Sequence, residues 1–391
     1  MQLEFTASPE VRAAVESLGR TEDVRFSPSN RRLAIACFGR HRLALFGIEM
    51  AESASGTGVT LTSALELTSP VFKRPHGIDF IDEDTIVVAN RAGDVALFKL
   101  PADAPGVRQL TLSPFQTWSA EELNLVESPG SVAVAYLDKD RCEILVCNNY
   151  AHTVTRHALD LTDAAALRSS EVLLRRWLHI PDGVAVSHDH EWIAISNHET
   201  HGVLLYENRS SLNETSAPDG ILRGVAYPHG IRFSEDGRYL FVADAGSPSV
   251  LVFSRSGEGW RGVHRPDATI RVLDQATFLR GQTSPEEGGP KGIDISADSR
   301  VLVMTTEEQP LTFFDVPAML DHGTGAARQL NGTADGAVPT DASEIDRELS
   351  IMELEVRAQR AERALAWMES TISWRMTAPV RRLRSLLPRR H

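Results

Sequence analysis

The chain has 391 residues, 42% of them hydrophobic, and a formal net charge of −13. This composition indicates a globular protein with a sizeable core, either one large all-β domain or two to three smaller ones. The last 17 residues hold six arginines and no acid, so residues 1–374 carry a charge of −19. Nucleic-acid binding needs clustered basic residues on a broad face, so this acidic body argues against a nucleic-acid partner.

The N-terminal segment predicts a strand and a short helix before the first repeat. Residues 2–5 read as the outer strand of the last repeating unit, although residues 326–330 offer a local alternative. Ser8, Pro9 and Gly19 bound a predicted helix at about residues 8–18. We expect no signal peptide and no membrane span, because neither apolar pattern occurs. We also expect the three cysteines to be buried thiols in a reducing cytoplasm.

Six segments repeat one pattern: a small residue, an apolar strand, a turn, a second strand that ends in a short polar residue, and a third strand. Their first strands are marked by Val24, Ile78, Val132, Val184, Ile231 and Ile293, at separations of 54, 54, 52, 47 and 62 residues. Residues 108–113, 171–177 and 269–273 read as fourth strands. Four-stranded units at this period are typical of β-propeller blades. The sequence therefore predicts an all-β, six-bladed β-propeller of four-stranded blades in residues 1–320.

One residue stands directly before the small residue of each unit, and we call these six the channel ring. They are Glu22, His76, Gly130, Asp182, His229 and Lys291. The innermost strand of a blade lines the central channel, so we expect the ring at the channel mouth. We expect all of its residues except Gly130 to bind a ligand through their side chains. The glycines that follow indicate either a positive φ or a close backbone approach.

Four members of the channel ring are suitable metal ligands, namely Glu22, His76, Asp182 and His229. Imidazole and carboxylate are common donors to zinc and other divalent metals. The alternative is a polar, water-filled channel mouth that holds no metal. No nucleophile elbow, phosphate-binding loop or Cys-x-x-Cys pair occurs, so an enzymatic activity would be metal-assisted hydrolysis.

A second set of polar residues ends the second strands, and we predict that they cap the neighbouring turns. They are Cys37, Asn90, Asn148, Asn197, Asp244 and Thr305. Short Asn and Asp side chains bond backbone groups in such positions. Asn149, His198 and Glu307 follow these ends and face the same side of the predicted propeller.

The unit "PHGIRFSEDGRYLFVAD" at 228–244 resembles the repeat of six-bladed NHL and gluconolactonase-like (regucalcin-like) propellers, and the resemblance covers about residues 20–320. In the gluconolactonase-like enzymes a divalent metal sits in the channel, held by a Glu of the first blade, by Asn residues before Gly, and by the Asp of a Pro-Asp-Gly. The resemblance implies these roles for Glu22 and Asp182. Gly130 replaces an Asn, His229 replaces an Asn or Asp, and Lys291 adds a cation, so the family's site is not carried over intact.

Beyond the propeller, the sequence predicts a flexible linker at 321–343 and a coiled-coil helix at 344–374, capped by Asp341 or Ser343. Its apolar residues recur at alternating spacings of three and four: Ile351, Leu354, Ala358, Ala361, Leu365, Met368 and Ile372. We expect self-association or docking of a partner helix through Ile351, Leu354, Leu365 and Met368. The alternative is that the helix packs back on its own propeller.

The tail at 375–391 alternates arginines, among them Arg381, Arg382 and Arg384, with leucines. Such a segment suits an anionic membrane surface or an acidic protein patch.

Residues 370–381 resemble a segment of bacterial glycosyltransferases and surface-polysaccharide proteins. We therefore expect a cytoplasmic, non-catalytic binding or scaffolding propeller in a surface-polysaccharide pathway, peripheral to the membrane. The alternatives are a metal-dependent hydrolase of the lactonase type and a purely structural propeller.

Overall fold

The first part of the chain folds as a six-bladed β-propeller, as the repeats predict. The computed structural model describes residues 1–53, 56–102, 106–119, 125–255, 257, 259–283, 286–321 and 342–370. The chain divides into two units, Met1–Ile345 and Asp346–His391. All six blades belong to the first unit.

The strands follow the chain from blade to blade. The N-terminal segment comprises β1 (Gln2–Leu3), β2 (Phe5–Ala7) and α1 (Pro9–Glu16). Blades 1 and 2 are built from β3 (Asp23–Phe26), β4 (Arg32–Cys37), β5 (Arg42–Ser53), β6 (Gly56–Thr68), β7 (Pro75–Asp82), β8 (Thr85–Asn90), β9 (Val95–Lys99), β10 (Gly106–Thr111) and β11 (Gln116–Trp118). Blades 3 and 4 are built from β12 (Pro129–Tyr136), β13 (Arg141–Asn148), β14 (Thr153–Asp160), β15 (Ala166–Leu174), β16 (Pro181–Val186), β17 (Trp192–Asn197), β18 (Gly202–Glu207) and β19 (Gly220–Arg223). Blades 5 and 6 are built from β20 (Pro228–Phe233), β21 (Tyr239–Asp244), β22 (Ser249–Ser254), β24 (Ala268–Arg271), β25 (Ile293–Ile295), β26 (Val301–Met304) and β27 (Thr312–Asp315). Strand β23 (Gly262–His264) pairs with β19 at the edge of blade 4, and α2 (Gln275–Gly281) precedes β25.

The innermost strands surround a central channel. Strands β3, β7, β12, β16, β20 and β25 contact one another in cyclic order. Buried apolar side chains fill the space between blades; for example, Leu43, Ile78 and Phe98 belong to one cluster between blades 1 and 2. We call the side on which the first strands begin and the second strands end the upper face.

The ring closes through the N-terminal strand, as residues 2–5 predict. Gln2 lies opposite Phe314 and Leu3 opposite Phe313 in an antiparallel pair. Closure by a distant strand joins the two ends of the propeller, which leaves no open edge at the seam. The alternative closing segment at 326–330 lies outside the described residues.

One predicted fourth strand is wrong. Residues 108–113 fall in β10, which pairs in parallel with β6 of blade 1, and the outer strand of blade 2 is β11 instead. The cause is the 13-residue length of β6, which extends blade 1 and leaves a long edge that β10 covers. The other two predictions are confirmed, because β15 and β24 are the fourth strands of blades 3 and 5.

The predicted N-terminal helix and the buried thiols are also confirmed. Helix α1 begins at Pro9, and the side chain of Ser8 accepts a hydrogen bond from the Val11 N–H at 3.4 Å. All three cysteines are buried and free of disulfide bonds.

The second unit contributes the helix α3, which spans Ala342–Ser370. In this helix Ile351, Leu354, Leu365 and Met368 are exposed, by 37% to 62%. Most of the predicted linker, Ile372 and the tail with Arg381, Arg382 and Arg384 lie outside the described residues. None of the helices in the described part of the chain is both long and apolar enough to span a membrane.

Candidate functional site

The channel ring converges because neighbouring innermost strands touch directly beside it. A Cβ atom at Gly77 would lie 2.5 Å from Cα of Ser131 in the next blade, and one at Gly183 would lie 2.2 Å from the carbonyl oxygen of His229. Neither glycine has a positive φ. Of the two explanations that the sequence left open, close backbone approach is therefore the correct one for these two glycines.

The ring side chains are buried, whereas the sequence placed them at the open mouth of the channel. Their exposed fractions range from 2% to 6%, in Glu22, His76, Asp182, His229 and Lys291. Beneath them lies a cavity of about 10 Å³, which is room for about one water molecule or ion. Buried charges are stable only when they are paired, so the contacts within the ring decide its protonation state.

His76 is held as a neutral imidazole with its proton on Nδ1. Nδ1 lies 2.7 Å from the carbonyl oxygen of Gly130, which can only accept, and Nε2 lies 2.6 Å from Nη2 of Arg91, which can only donate. Burial and the Arg91 guanidinium lower the pKa of His76 to about 3. The lone pair of Nε2 therefore accepts from Arg91 at neutral pH.

His229 has the opposite protonation state. Its Nε2 lies 2.7 Å from Oδ2 of Asp182. Burial opposes a charge on the ring, but the carboxylates of Asp182 and Glu22 outweigh it and raise the pKa of His229 above its ordinary value. Burial likewise works against the Asp182 charge, but His229 and Arg91 hold the pKa of Asp182 well below its usual range.

Glu22 is the fully buried anion at the centre of the ring. Its Oε1 accepts from Nε of Arg20 at 2.6 Å and from Nζ of Lys291 at 3.2 Å. Nζ of Lys291 also lies 3.2 Å from Glu287. Burial alone would raise the pKa of Glu22, but Lys291, His76 and Arg20 hold it below its ordinary value. Glu22, Asp182 and Lys291 are therefore ionised and paired at neutral pH.

Several buried atoms of this network have no hydrogen-bond partner among the described residues, and one of them lies beside both histidines. Oε2 of Glu22 is buried and accepts no hydrogen bond in the part of the chain that the structure describes. It lies 3.6 Å from Nε2 of His229 and 3.8 Å from Nε2 of His76, and the three atoms lie within 4.8 Å of one another. A carboxylate oxygen and two imidazole nitrogens are a fitting donor set for a divalent transition metal.

The polar residues that end the second strands have the capping role predicted for them, with mostly different partners. Asn90, Asn148 and Asn197 each accept a hydrogen bond from the backbone N–H of a residue shortly before the first strand of their own blade, at 3.1, 2.8 and 2.6 Å. Asp244 accepts from Tyr227 in the same way, at 2.7 Å. These bonds fix the chain as it enters the channel ring, whereas the prediction placed them mainly in the following hairpin turn.

Three charged residues of the site were not predicted: Arg20, Arg91 and Glu287. Arg91 follows Asn90 as Asn149 follows Asn148 and His198 follows Asn197, so the repeat alignment could have found it. Glu287 lies in a loop that has no counterpart in the other blades. Of the residues expected on the same face, Asn149 donates to Asp182, His198 lies 3.5 Å from Glu287, and Glu307 lies 3.5 Å from Arg20.

Comparison with known proteins does not assign the chain to a family. No protein-family model and no curated protein matches the sequence. Among solved structures, the chain is similar to a functionally unknown protein from Desulfotomaculum acetoxidans, with 12% identity and a TM-score of 0.48. That match covers 76% of this chain and 83% of the other. The functional proposals below therefore rest on the geometry of the site.

Proposed function

We propose that the protein is a ligand-binding propeller with a divalent transition metal held in the channel ring by Glu22, His76 and His229. The observation that carries this proposal is the buried, unpartnered Oε2 of Glu22 beside two imidazole nitrogens. Nε2 of His76 lies 3.8 Å from this oxygen and is a second acceptor, which Arg91 now satisfies. A buried carboxylate oxygen without a donor, beside a second acceptor, favours a bound cation.

The arginine at the rim is the competitor for this position. Nη2 of Arg91 donates to both His76 and Asp182, at 2.6 and 3.0 Å. Its guanidinium also lies 5.7 Å from the ring centre of Tyr150, which is 63% exposed. A metal on His76 therefore requires Arg91 to withdraw toward the upper face, where it can contact a ligand together with Tyr150.

Metal binding is expected to strengthen as the pH rises. His76 is already neutral, but the raised pKa of His229 means that its proton must leave before Nε2 can coordinate. One released proton changes the affinity by up to about tenfold per pH unit below the pKa of His229. Titration of the metal-free protein with Co²⁺, followed by visible absorption between mildly acidic and mildly basic pH, measures this dependence.

Glu22→Gln and His229→Gln are the test variants for the metal site, and His264→Gln, at an outer edge, is the matched control. Loss of a direct ligand should weaken Co²⁺ binding by more than the roughly 10- to 100-fold that is typical of outer-shell changes. Equal Co²⁺ affinity in the wild type and Glu22→Gln, or no binding by the wild type, contradicts the proposal.

A metal-dependent hydrolase is the second candidate, and Asp182 is the observation that favours it. Oδ2 of Asp182 is buried without a hydrogen-bond partner of adequate geometry among the described residues, beside His229. A bound metal would lower the pKa of a water, and Asp182 is placed to hold the released proton. Hydrolysis of a simple lactone by the metal-loaded protein, lost in Asp182→Asn while the metal is retained, would favour this candidate over pure binding.

We further propose that helix α3 mediates association with a second copy of the chain. The exposed Ile351, Leu354, Leu365 and Met368, together with Ala358 and Ala361 between them, recur at spacings of three and four, which is the pattern of a two-stranded coiled-coil seam. Leu354 and Leu365 are 62% and 47% exposed. The pathway expectation, surface-polysaccharide assembly, rests on residues 370–381 alone and belongs to the same proposal.

The change that tests the helix is Leu354→Glu combined with Leu365→Glu. Two charges on the seam should shift the full-length protein from dimer to monomer in light scattering, because an apolar seam tolerates no unpaired charge. Ala366→Glu with Trp367→Glu adds the same charge away from the seam and should leave the dimer intact. A monomeric wild type, or a seam variant that stays dimeric, contradicts this part of the proposal.

A further inference from the structure

A second site lies at the opposite end of the channel, and we call it the lower cavity. Its volume is about 180 Å³. It is lined by one residue from each innermost strand, the residue after the apolar marker: Arg25, Asp79, Ala133, Ala185, Arg232 and Asp294. The lower cavity is independent of the proposed metal site, because the space between them is the cavity of about 10 Å³.

The six positions form two chemically different walls. Blades 1, 2, 5 and 6 supply two guanidinium groups and two carboxylates, and Nε of Arg232 donates to Oδ1 of Asp294 at 2.9 Å. Nε of Arg25 lies 3.8 Å from Oδ1 of Asp79. Blades 3 and 4 supply alanines, which leave the open volume. The charges of the polar wall balance, so this wall offers donors and acceptors without a surplus of either sign.

The polar wall retains unused hydrogen-bonding capacity. Nη2 of Arg232 is buried, and it has no hydrogen-bond partner among the described residues. The other nitrogens of this guanidinium donate to Asp294 and to backbone carbonyls of Val184 and Ile231. A buried N–H without an acceptor is unfavourable, and a ligand acceptor that reaches Nη2 would relieve this cost. The carboxylates opposite can accept from hydroxyl groups.

The second wall is apolar and closes around a ring-sized space. Ala133, Ala185 and Phe233 line it, with Val134 and Val186 beside them. A cavity of about 150 Å³ holds benzene, so the lower cavity takes a six-membered ring with substituents. His188 and Glu235 stand at its mouth, 3.1 Å apart and largely exposed.

We propose that the lower cavity binds a neutral monosaccharide. A sugar ring has hydroxyl groups that both donate and accept at its edge, matching the polar wall, and C–H groups on its face, matching Phe233 and the alanines. The polar wall pairs two guanidinium groups with two carboxylates, so it suits a neutral ligand better than an ion.

Saturation-transfer NMR on the full chain tests this proposal. The probes are D-glucose, D-galactose and D-mannose, with cyclohexanol as a ring of similar size that has one hydroxyl. We expect at least one sugar, and not cyclohexanol, to receive saturation. Ala133→Leu fills the cavity and should abolish the signal, whereas Ala158→Leu, half-buried on the third strand of the same blade, should preserve it.

A conservative second variant covers the case in which Ala133→Leu fails to fold. Arg232→Lys keeps the charge but loses the planar fork, and it should weaken sugar binding on the order of tenfold or more while circular dichroism stays unchanged. The proposal is overturned if none of the three sugars binds the wild type. It is equally overturned if folded Ala133→Leu or Arg232→Lys binds the sugar as tightly as the wild type.

Discussion

Replacing Lys291 with methionine is expected to lower the free energy of unfolding by about 3–5 kcal/mol, the usual cost of breaking a buried ion pair from one side. Nζ of Lys291 lies 3.2 Å from both Glu22 and Glu287. Methionine fills nearly the same volume as lysine, so the decrease in the free energy of unfolding comes from the lost charge and not from a packing defect. The side chain of Glu22 is fully buried, and in the variant it keeps Arg20 at 2.6 Å and His229 at 3.6 Å but loses the Lys291 ammonium.

The sign of the pH dependence distinguishes this cause from a packing defect. The pKa of Glu22 is held below its ordinary 4.5 by Lys291 first and by His76 and Arg20 next. A carboxyl group with a lowered pKa contributes stability above its unfolded pKa and loses it as the pH falls through the folded value. The gap between wild type and Lys291→Met should therefore be widest near neutral pH and should narrow below about pH 4.5.

Urea unfolding measures both quantities. Lys139→Met is the matched control, because Lys139 is 89% exposed, and it should stay within about 0.5 kcal/mol of wild type. Adding Glu22→Gln to Lys291→Met should recover part of the loss, since the stranded charge is removed as well. A Lys291→Met protein as stable as wild type at neutral pH would show that the ring charges do not support the fold.

The propeller could be predicted from the sequence because its repeats mark a single recurring position. Ile78 and Ile231 follow the same Pro-His-Gly, and each lies in an innermost strand as expected. The error at residues 108–113 has a different origin. Both β10 and β11 have strand-like composition, and the choice between them depends on the length of β6 in another blade, which no local pattern encodes.

The candidate site was predicted less completely. The sequence did not predict which charged side chains pair within the ring or that the ring is buried. The alignment placed Glu22, His76 and Asp182 on one ring, but it could not show that the ring is closed to solvent. Burial depends on how far Arg20, Arg91 and Lys291 reach across the channel. The buried ion pairs of His229 indicate a substantial loss of stability when alanine replaces it.

The two Pro-His-Gly segments therefore combine geometry and chemistry in adjacent residues. The glycine permits the next blade to pack closely. Because the blades are close, the histidine side chain contacts the other side chains of the channel ring. Rings of His76 and His229 stack at 5.6 Å although their blades are not neighbours. The glycines after the ring residues therefore account both for the close packing of the innermost strands and for the short distances within the channel ring.

Gly183→Ala is expected to be the second most damaging single change, with a loss of about 3 kcal/mol, the upper part of the usual range for overpacking. The new Cβ would lie 2.2 Å from the carbonyl oxygen of His229 and 2.8 Å from Oγ of Ser196. Oγ of Ser196 accepts from the Gly183 N–H at 2.6 Å and donates to that same carbonyl at 2.7 Å. The methyl group must push blade 5 away and break this link between the blades.

The same displacement should reach the channel ring, which gives a second readout. Asp182 precedes Gly183, and its carboxylate holds His229 at 2.7 Å. Separation of the two blades lengthens this ion pair, so the raised pKa of His229 should fall toward its ordinary 6.5, as followed by NMR of the imidazole. Gly257→Ala is the matched control, because a Cβ at Gly257 meets nothing within 4 Å. If Gly183→Ala unfolds at the same urea concentration as Gly257→Ala and leaves the His229 pKa unchanged, close approach is not the reason for glycine at this position.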